Sequence, residues 1–262
     1  MSLRPVLALA LLALSLPAAA ANAWLDALHD QQLALYRLTG NFYMTTHEDA
    51  EREYLDSLPA QVSAYNKARD ATNTAASGDR ARAQQAAAIQ EASAPIEALV
   101  GKDIQRVIAS EQKKYINNGV FNAFQRATDV HNQMAKLEAA FDVAVRAAGS
   151  GDRNALFMEG AIDAETLASH YARLATGYFD ESRETGKASL AAASSKFTAV
   201  LDKARAEINR DDPMQRVAFD RIEARWKFVQ STLAKPAENR PRLVYRYLRE
   251  ISDNFVKLAS LR

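Results

Sequence analysis

The clearest hydrophobic pattern of the chain lies between Val120 and Val145, where apolar side chains recur at intervals of three and four residues. This periodicity places them on one face of an α-helix. The apolar positions are Val120, Phe124, Ala127, Met134, Leu137, Phe141 and Val145. Similar faces recur along most of the chain, and nowhere is there a sustained alternation with a period of two. We therefore predict an all-α protein without strands.

Turns and capping residues divide the first half of the chain into four predicted helices. The pattern places them at 24–43, 46–76, 81–117 and 120–145. Pro59 should kink the second helix or end it at Leu58, and Pro95 should bend the third. Asn117-Asn118-Gly119 is typical of a helix end and a turn. The stretch 81–94 carries few large apolar side chains, so it should form a helix with little to bury.

The strongest loop signal is Gly149-Ser150-Gly151-Asp152, which combines two glycines with polar neighbours. A short helical turn is expected at 153–159. Longer helices are then predicted from Gly160 to Gly186, at 190–208, at 213–233 and from Pro241 onward. Asp212 followed by Pro213 is typical of a capping residue with proline at the first helical position.

Similarities between the two halves indicate an internal duplication. When Val120 is aligned with Val244, Asp129 falls opposite Asp253 and the apolar positions match. The first helices share two motifs at the same spacing: Arg37-Leu38-Thr39 with Phe42-Tyr43, and Arg173-Leu174-Ala175 with Tyr178-Phe179. Chance matching between alanine-rich helices is the alternative. We predict two tandem antiparallel four-helix bundles, at 24–148 and 153–262.

Residues 1–23 have the features of a secretory signal peptide. Arg4 supplies the basic start, Val6 to Leu16 the apolar segment, and Ala21-Asn22-Ala23 the cleavage signal. The apolar run is about half of the ~20 residues that a membrane-spanning helix needs, although an uncleaved anchor is the alternative. We expect cleavage after Ala23, a periplasmic location and no stable membrane insertion of the mature chain.

Composition excludes several classes of function. Arg4 is the only charged residue of the predicted signal peptide, so the mature chain carries 32 basic and 32 acidic side chains. This balance argues against a nucleic-acid-binding protein, whose surface would be basic, and against capture by anionic lipid. The absence of cysteine excludes disulfides, thiolate metal sites and cysteine nucleophiles.

Residues with catalytic or metal-binding potential form no recognisable motif. His29, His47, His131 and His170 include no pair at the i, i+4 spacing of a helical metal site, so neither a metal nor another cofactor is expected. His29 and His47 should be solvated or capping residues. His131 aligns with Phe255 and is either a packed imidazole or a ligand-binding residue. Nucleophile and phosphate-loop motifs are absent, so no enzymatic activity is expected.

Two groups of residues are candidate binding sites. Arg242, Arg246 and Arg249 share one side of the last predicted helix, near Trp226, and could bind an anionic ligand or an acidic partner. A solvated face with Arg246–Glu250 and Arg249–Asp253 ion pairs is the alternative. The other group either fills the core or lines a cleft shared by the two halves, together with His131: Phe42, Tyr43, Tyr178 and Phe179.

Each half opens with a similar segment, Gln31-Gln32 to Tyr43 in the first and Tyr171 to Phe179 in the second, followed by a long amphipathic helix. This layout resembles the periplasmic helical sensor modules of bacterial transmembrane receptors, such as the N-terminal module of type IV pilus chemotaxis transducers. The resemblance implies a soluble bundle that binds a ligand or partner. The glutamine-arginine-methionine signature of that module is not present in order, and no transmembrane segment follows, so no binding residue is transferred and direct transmembrane signalling is not expected.

Taken together, these features predict a non-enzymatic, sensor- or adaptor-like periplasmic protein that binds an envelope protein or a small ligand. One alternative is a hydrolase that cleaves envelope polymers with carboxylates or a histidine. The other is a structural or chaperone-like spacer whose segment 81–94 docks on another protein.

Overall fold

The computed structural model describes residues 4–45, 52–110, 117–149, 151–176, 180–234 and 241–261 of the 262-residue chain. Within these ranges it contains eight α-helices and no strand, which confirms the predicted fold class. In chain order the helices are α1 (Arg4–Thr45), α2 (Arg52–Ala76), α3 (Arg80–Ser110), α4 (Asn117–Ala148), α5 (Arg153–Thr176), α6 (Asp180–Glu207), α7 (Pro213–Leu233) and α8 (Pro241–Ser260).

The helices pack in two similar sets around α1 and α5. In the first set α1 packs against α2 and α4, and α3 packs against α4. In the second set α5 packs against α6 and α8, and α7 packs against α8. Each of these pairings thus has a counterpart in the other half of the chain, whereas α2 also packs against α3 without comparable packing between the described parts of α6 and α7. Direct packing of α1 against α5 joins the two sets into one bundle.

One hydrophobic cluster runs through the bundle and receives side chains from all eight helices. It includes residues on both sides of the 149–152 loop, so the two halves share their core. Its largest fully buried side chains are mostly aromatic: Trp24, Phe42, Tyr43, Tyr65, Phe141, Phe157, Phe197, Phe219, Tyr245 and Phe255. Because the chain has no disulfides, the burial of this apolar area is its main source of stability.

The sequence predicts that a helix starts at Gly160, but this residue lies inside α5. A Cβ at this position would lie 2.7 Å from the ring of Phe255, so the glycine allows α8 to approach α5 closely. Gly40 plays the same part in α1, where a Cβ would lie 2.8 Å from the Tyr245 hydroxyl. Gly186 likewise does not end a helix, because it lies within α6. Gly160 and Gly40 are therefore explained by close packing between helices rather than by a helix end.

Neither proline ends its helix, since α2 runs through Pro59 and α3 through Pro95. A proline inside a helix costs ~3 kcal/mol. Tyr54, Leu58 and Tyr65 of α2 are all buried, and each such side chain contributes about 1.5–3 kcal/mol, which offsets that cost. The predicted turn at Asn117 is also wrong in its position, because α4 begins at this residue.

The predicted loops at 77–79 and 149–152 are confirmed for their described residues. Gly78 and Gly149 adopt φ of 84° and 92°, a region that glycine enters without steric cost. Asp79 and Asp152 each accept hydrogen bonds from the backbone N–H groups two and three residues ahead, and so cap α3 and α5. Asp212 caps α7, with Pro213 at the first helical position as predicted.

Replacing Asp212 with alanine is expected to lower the free energy of unfolding by about 1 kcal/mol. Asp212 Oδ1 accepts hydrogen bonds from the backbone N of Met214 at 2.8 Å and of Gln215 at 3.4 Å, and these donors lose their partner in the variant. Chemical denaturation measures the change. The matched control is Asp211→Ala, which removes the same charge from an exposed neighbour and should cost clearly less. Equal losses in the two variants would contradict the capping role.

The segment predicted to be a signal peptide belongs to α1 in this structure, which begins at Arg4. Trp24, the first residue of the predicted mature chain, is 1% exposed and joins the shared core. Within the described part of the chain, no helix is both long enough and apolar enough to cross a bilayer.

Candidate functional site

A cleft of about 490 Å³ opens between α2 and α8, beside the end of α1. Sites for small molecules typically have volumes of about 300–1,000 Å³. The first half of the chain supplies one wall through α1 and α2, and the second half supplies the other through α8. Its lining is polar apart from one leucine and the tyrosine rings: Asn41, Glu53, Tyr54, Ser57, Gln61, Arg242, Leu243, Tyr245, Arg246, Arg249, Glu250 and Asp253.

The floor of the cleft is held by contacts between its two walls. The rings of Tyr54 and Tyr245 meet edge to face, with centroids 5.5 Å apart. The Tyr245 hydroxyl donates to Asn41 Oδ1 at 2.6 Å, and Asn41 Nδ2 donates to Ser57 Oγ at 2.9 Å. Burial raises the pKa of Tyr245, so its hydroxyl stays protonated and remains a donor. These hydrogen bonds fix the floor before any ligand arrives.

Beneath this floor lies a buried carboxylate, Glu165 of α5, whose side chain is fully buried. Its Oε1 accepts a hydrogen bond from Arg37 Nε at 2.9 Å and lies 3.0 Å from Arg249 Nε. The second contact is short but is not aligned as a hydrogen bond, so it is mainly electrostatic. Arg37 Nη2 also donates to Asp253 at 2.5 Å. This ion-pair network ties α1, α5 and α8 together.

Burial and charge act in opposite directions on this network. Burial raises the pKa of the Glu165 carboxyl, while Arg249 and Arg37 lower it in part. Burial alone would lower the pKa of Arg249, but Glu165 and Tyr245 raise it overall, so its guanidinium stays charged. Arg249 Nη1 also donates to Asn41 Oδ1 at 2.9 Å. Arg249 is therefore a fixed, neutralised part of the cleft floor.

The outer rim of the α8 wall includes Arg246, which reaches into solvent. The Arg246 side chain is 65% exposed, and its Nε lies 3.9 Å from Glu250. Glu250 instead makes its short contact with Arg225 Nε of α7, at 2.6 Å. Arg225 also lies over the ring of Tyr247, 4.2 Å from its centroid, which fixes the guanidinium in place.

The structure brings together the three arginines that the sequence singles out. Arg242, Arg246 and Arg249 all line the cleft. The predicted pair between Arg249 and Asp253 is not the main ion pair of either residue. The closest oppositely charged partner of Arg249 is Glu165, and that of Asp253 is Arg37.

Trp226 does not belong with these arginines, contrary to the prediction that it is near a docking surface. It is 4% exposed and packs edge to face on Phe197, with ring centroids 4.6 Å apart. Its side chain therefore contributes to the core rather than to a surface that a partner could reach.

The aromatic group predicted from the sequence does not line this cleft. Phe42 and Tyr43 are 2% and 1% exposed and belong to the shared core, which agrees with the core-filling alternative. Tyr178 and Phe179 lie outside the described residues, as does the side chain of His131. The proposed cleft of these five residues therefore stays a prediction.

The sequence predicts a solvated or capping role for His29, but this residue of α1 is buried and only 2% exposed. Burial lowers the pKa of its imidazole to about 4. His170 on α5 shows the same effect, with a pKa lowered to about 4 by burial and by Arg173. Both imidazoles are consequently neutral at pH 7. His47, predicted to be solvated or capping, lies outside the described residues.

Sequence reasoning missed the residues that give the cleft its floor, namely Asn41, Tyr245 and the buried Glu165. A partial signal was present, since Arg37 and Asp253 both occupy positions that are repeated between the two halves. These two residues form an ion pair in the structure. Charged residues at repeated positions within mostly apolar matching segments were therefore a signal that these segments contact each other.

The described lining of the cleft consists mainly of hydrogen-bonding and ion-paired side chains. Among the described residues, no group of three or more histidine, aspartate or glutamate side chains is placed to hold a metal ion. Three carboxylates line the cleft, but Glu250 pairs with Arg225 and Asp253 pairs with Arg37. A glycosidase needs one carboxyl group that can donate a proton, whereas a carboxylate paired with a guanidinium serves as a charge partner.

Comparison of the chain with protein-family models, with curated proteins and with solved structures found no match. The chemistry of the cleft is therefore the basis for assigning a function.

Proposed function

We propose that this chain is an exported, non-enzymatic helical-bundle protein that binds a small polar ligand in the α2–α8 cleft, in the manner of a sensor or adaptor. The observation that carries the proposal is the preorganised polar floor, in which Asn41 connects Tyr245, Arg249 and Ser57 through hydrogen bonds. A site whose side chains are already fixed loses little conformational entropy when it binds.

A binding role fits the cleft better than a catalytic one. Catalysis by carboxylates needs a proton donor and a base placed on either side of a scissile bond. Here the cleft carboxylates Glu250 and Asp253 contact arginines at 2.6 and 2.5 Å, so both are engaged in structural ion pairs. The hydrolase alternative would therefore have to rely on Glu53 alone or on a site elsewhere.

Two further features support export and a sensor-like architecture. The basic start, apolar segment and Ala21-Asn22-Ala23 motif favour secretion to the periplasm, and Trp24 anchors the bundle one residue after the proposed cleavage site. The matching helix pairings of the two halves support an origin by duplication. A duplicated four-helix unit would fit the resemblance to periplasmic sensor modules, which rests on the layout of the helices.

The spacer alternative receives less support. Within segment 81–94, Ala86 and Ile89 are 6% and 1% exposed, so this part of α3 already packs inside the bundle. Hydrogen exchange would show protection of 81–94 in the isolated protein if this packing persists in solution. Rapid exchange confined to this segment would favour docking on another protein.

The proposed function is tested by screening the purified protein against neutral, cationic and anionic small molecules for a rise in melting temperature. A ligand present at 100 times its Kd should stabilise the protein by about 2.7 kcal/mol. Gln61→Trp, which places an indole in the cleft, should abolish the shift. The matched control is Gln230→Trp on an exposed position of α7, which should leave the shift intact.

Two results would contradict the proposal. One is a screen in which no small molecule of any charge class stabilises the protein. The other is a ligand whose effect survives Gln61→Trp, because that ligand would bind outside the cleft. Capture of an acidic protein that competes for Arg242 and Arg246 would favour the partner-binding form of the proposal instead.

A further inference from the structure

We propose that the ligand of the α2–α8 cleft carries an oxyanion group, a carboxylate or a phosphate, and that Arg246 binds this group at the α8 rim with Arg242 beside it. This inference rests on the proposed function and adds the chemical class of the ligand. Guanidinium groups bind such oxyanions through two parallel N–H···O hydrogen bonds, which gives both affinity and orientation.

The three arginines of the α8 wall have different roles. Arg249 is anchored, because it contacts Glu165 at 3.0 Å and donates to Asn41 at 2.9 Å. Arg246 is 65% exposed, and its 3.9 Å separation from Glu250 is too long for a hydrogen bond. Its guanidinium can therefore turn toward a ligand without breaking a short ion pair. Arg242 precedes Arg246 by one helical turn on the same face of α8 and also lines the cleft.

The acidic residues near this rim do not cancel its attraction for an anion. Glu250 contacts Arg225 at 2.6 Å, and Asp253 contacts Arg37 at 2.5 Å, so each negative charge is neutralised by a neighbour outside the cleft lining. Glu165 is likewise balanced by Arg37 and Arg249. On the α8 wall, Arg246 makes no short ion pair among the described residues, so its positive charge is available to a ligand.

The opposite wall sets the orientation of the ligand. Glu53 is exposed on α2, while Ser57 and Gln61 follow it along the same wall. Because Glu53 would repel an anion, the oxyanion should face α8, and a neutral or cationic part of the ligand should face α2. The cleft thus has a polarity across its width, with the anionic end of the ligand on the second half of the chain.

Calorimetric titration and thermal shift with defined probes test this inference. The probes are glutarate as a dicarboxylate, inorganic phosphate as the phosphate arm, and glutaramide as the neutral analogue, all at constant ionic strength. Glutarate or phosphate should raise the melting temperature, and glutaramide should not. Arg246→Gln should weaken binding by about tenfold or more, because a charge-assisted hydrogen bond contributes about 1.5–3 kcal/mol. The matched control is Arg221→Gln on exposed α7, which should bind like the unmodified protein.

The outcomes separate the two proposals. Binding of glutarate or of phosphate that is lost in Arg246→Gln supports the inference and identifies which oxyanion the cleft prefers. Equal weakening in Arg246→Gln and Arg221→Gln would overturn it, because the effect would then be one of general charge. Failure of both anions, alongside a neutral or cationic ligand that Gln61→Trp blocks, would also overturn it while leaving the proposed function standing.

Discussion

Glu165→Ala is expected to lower the free energy of unfolding by about 3–5 kcal/mol, the usual cost of removing one partner from a buried ion pair. The carboxylate is fully buried and lies between Arg37 and Arg249, at 2.9 and 3.0 Å. In the variant, two guanidinium groups that are only 22% and 21% exposed lose their shared counter-charge. The loss should also loosen the cleft floor, because Arg249 contacts Asn41 and Tyr245.

Two variants separate charge from packing in this experiment. Glu165→Gln keeps the size of the side chain and one acceptor oxygen, so a cost close to that of alanine would show that the charge matters most. Glu223→Ala is the control for an exposed pair, since Glu223 contacts Arg205 at 2.8 Å while both side chains are substantially exposed. It should cost less than about 1 kcal/mol. Urea denaturation measures all three, and a Glu165→Gln variant as stable as the unmodified protein would contradict the electrostatic role.

Acidification is expected to destabilise the protein through His29. The folded imidazole has a pKa of about 4, whereas the ordinary value is 6.5. Between pH 6.5 and pH 4, His29 is therefore protonated in the unfolded chain but stays neutral in the folded chain. The stabilising contribution is complete above pH 6.5 and is lost as the pH falls through this window, with an upper bound of about 3 kcal/mol.

Carboxyl groups near His29 act in the opposite direction, so the comparison must be made between variants. Burial raises the pKa values of Asp26 and Asp30, and each is raised further by a neighbouring carboxylate. Their repulsion is relieved as the pH falls, which favours the folded state. His29→Gln leaves these groups in place, and the difference between its pH dependence and that of the unmodified protein isolates the imidazole.

Denaturation at pH 7.5 and pH 5 provides this measurement. The unmodified protein should lose more stability between the two values than His29→Gln does. Proton NMR of the imidazole Cε1–H gives an independent check, because His29 and His170 should both remain neutral down to about pH 5. An imidazole of the folded protein that titrates near pH 6.5 at position 29 would contradict the prediction.

The helices could be predicted from the sequence because each one buries a face whose period is visible along the chain. Helix starts with a local capping motif could also be predicted from the sequence, as the capping of α7 by Asp212 shows. The errors occur where distant packing decides the outcome. The sequence predicts a helix start at Gly160, but the absence of a side chain there allows the contact with Phe255. Phe255 is 95 positions away in the chain, so this contact has no local signature.

The same distinction applies to the cleft. The spacing of Arg242, Arg246 and Arg249 places them on one helix face, so their shared position was predictable. The sequence does not show that Asn41 and Tyr54 lie opposite them, because these residues come from helices some 200 positions earlier. Nor does the sequence show that Arg249 pairs with Glu165. Asp253, four residues after Arg249 on the same helix, is the partner that local spacing predicts, whereas the fold places the buried Glu165 beside Arg249.

The division of the cleft walls between α2 and α8 limits how this site could have arisen. Under the proposed duplication, a single four-helix unit would carry counterparts of both walls, but it could bring them together in this way only by pairing with a second copy of itself. Such a dimer would carry two equivalent pockets related by its symmetry axis. Under the proposed duplication, fusion of the two copies would let each wall change independently, so that one pocket could specialise while the other is lost.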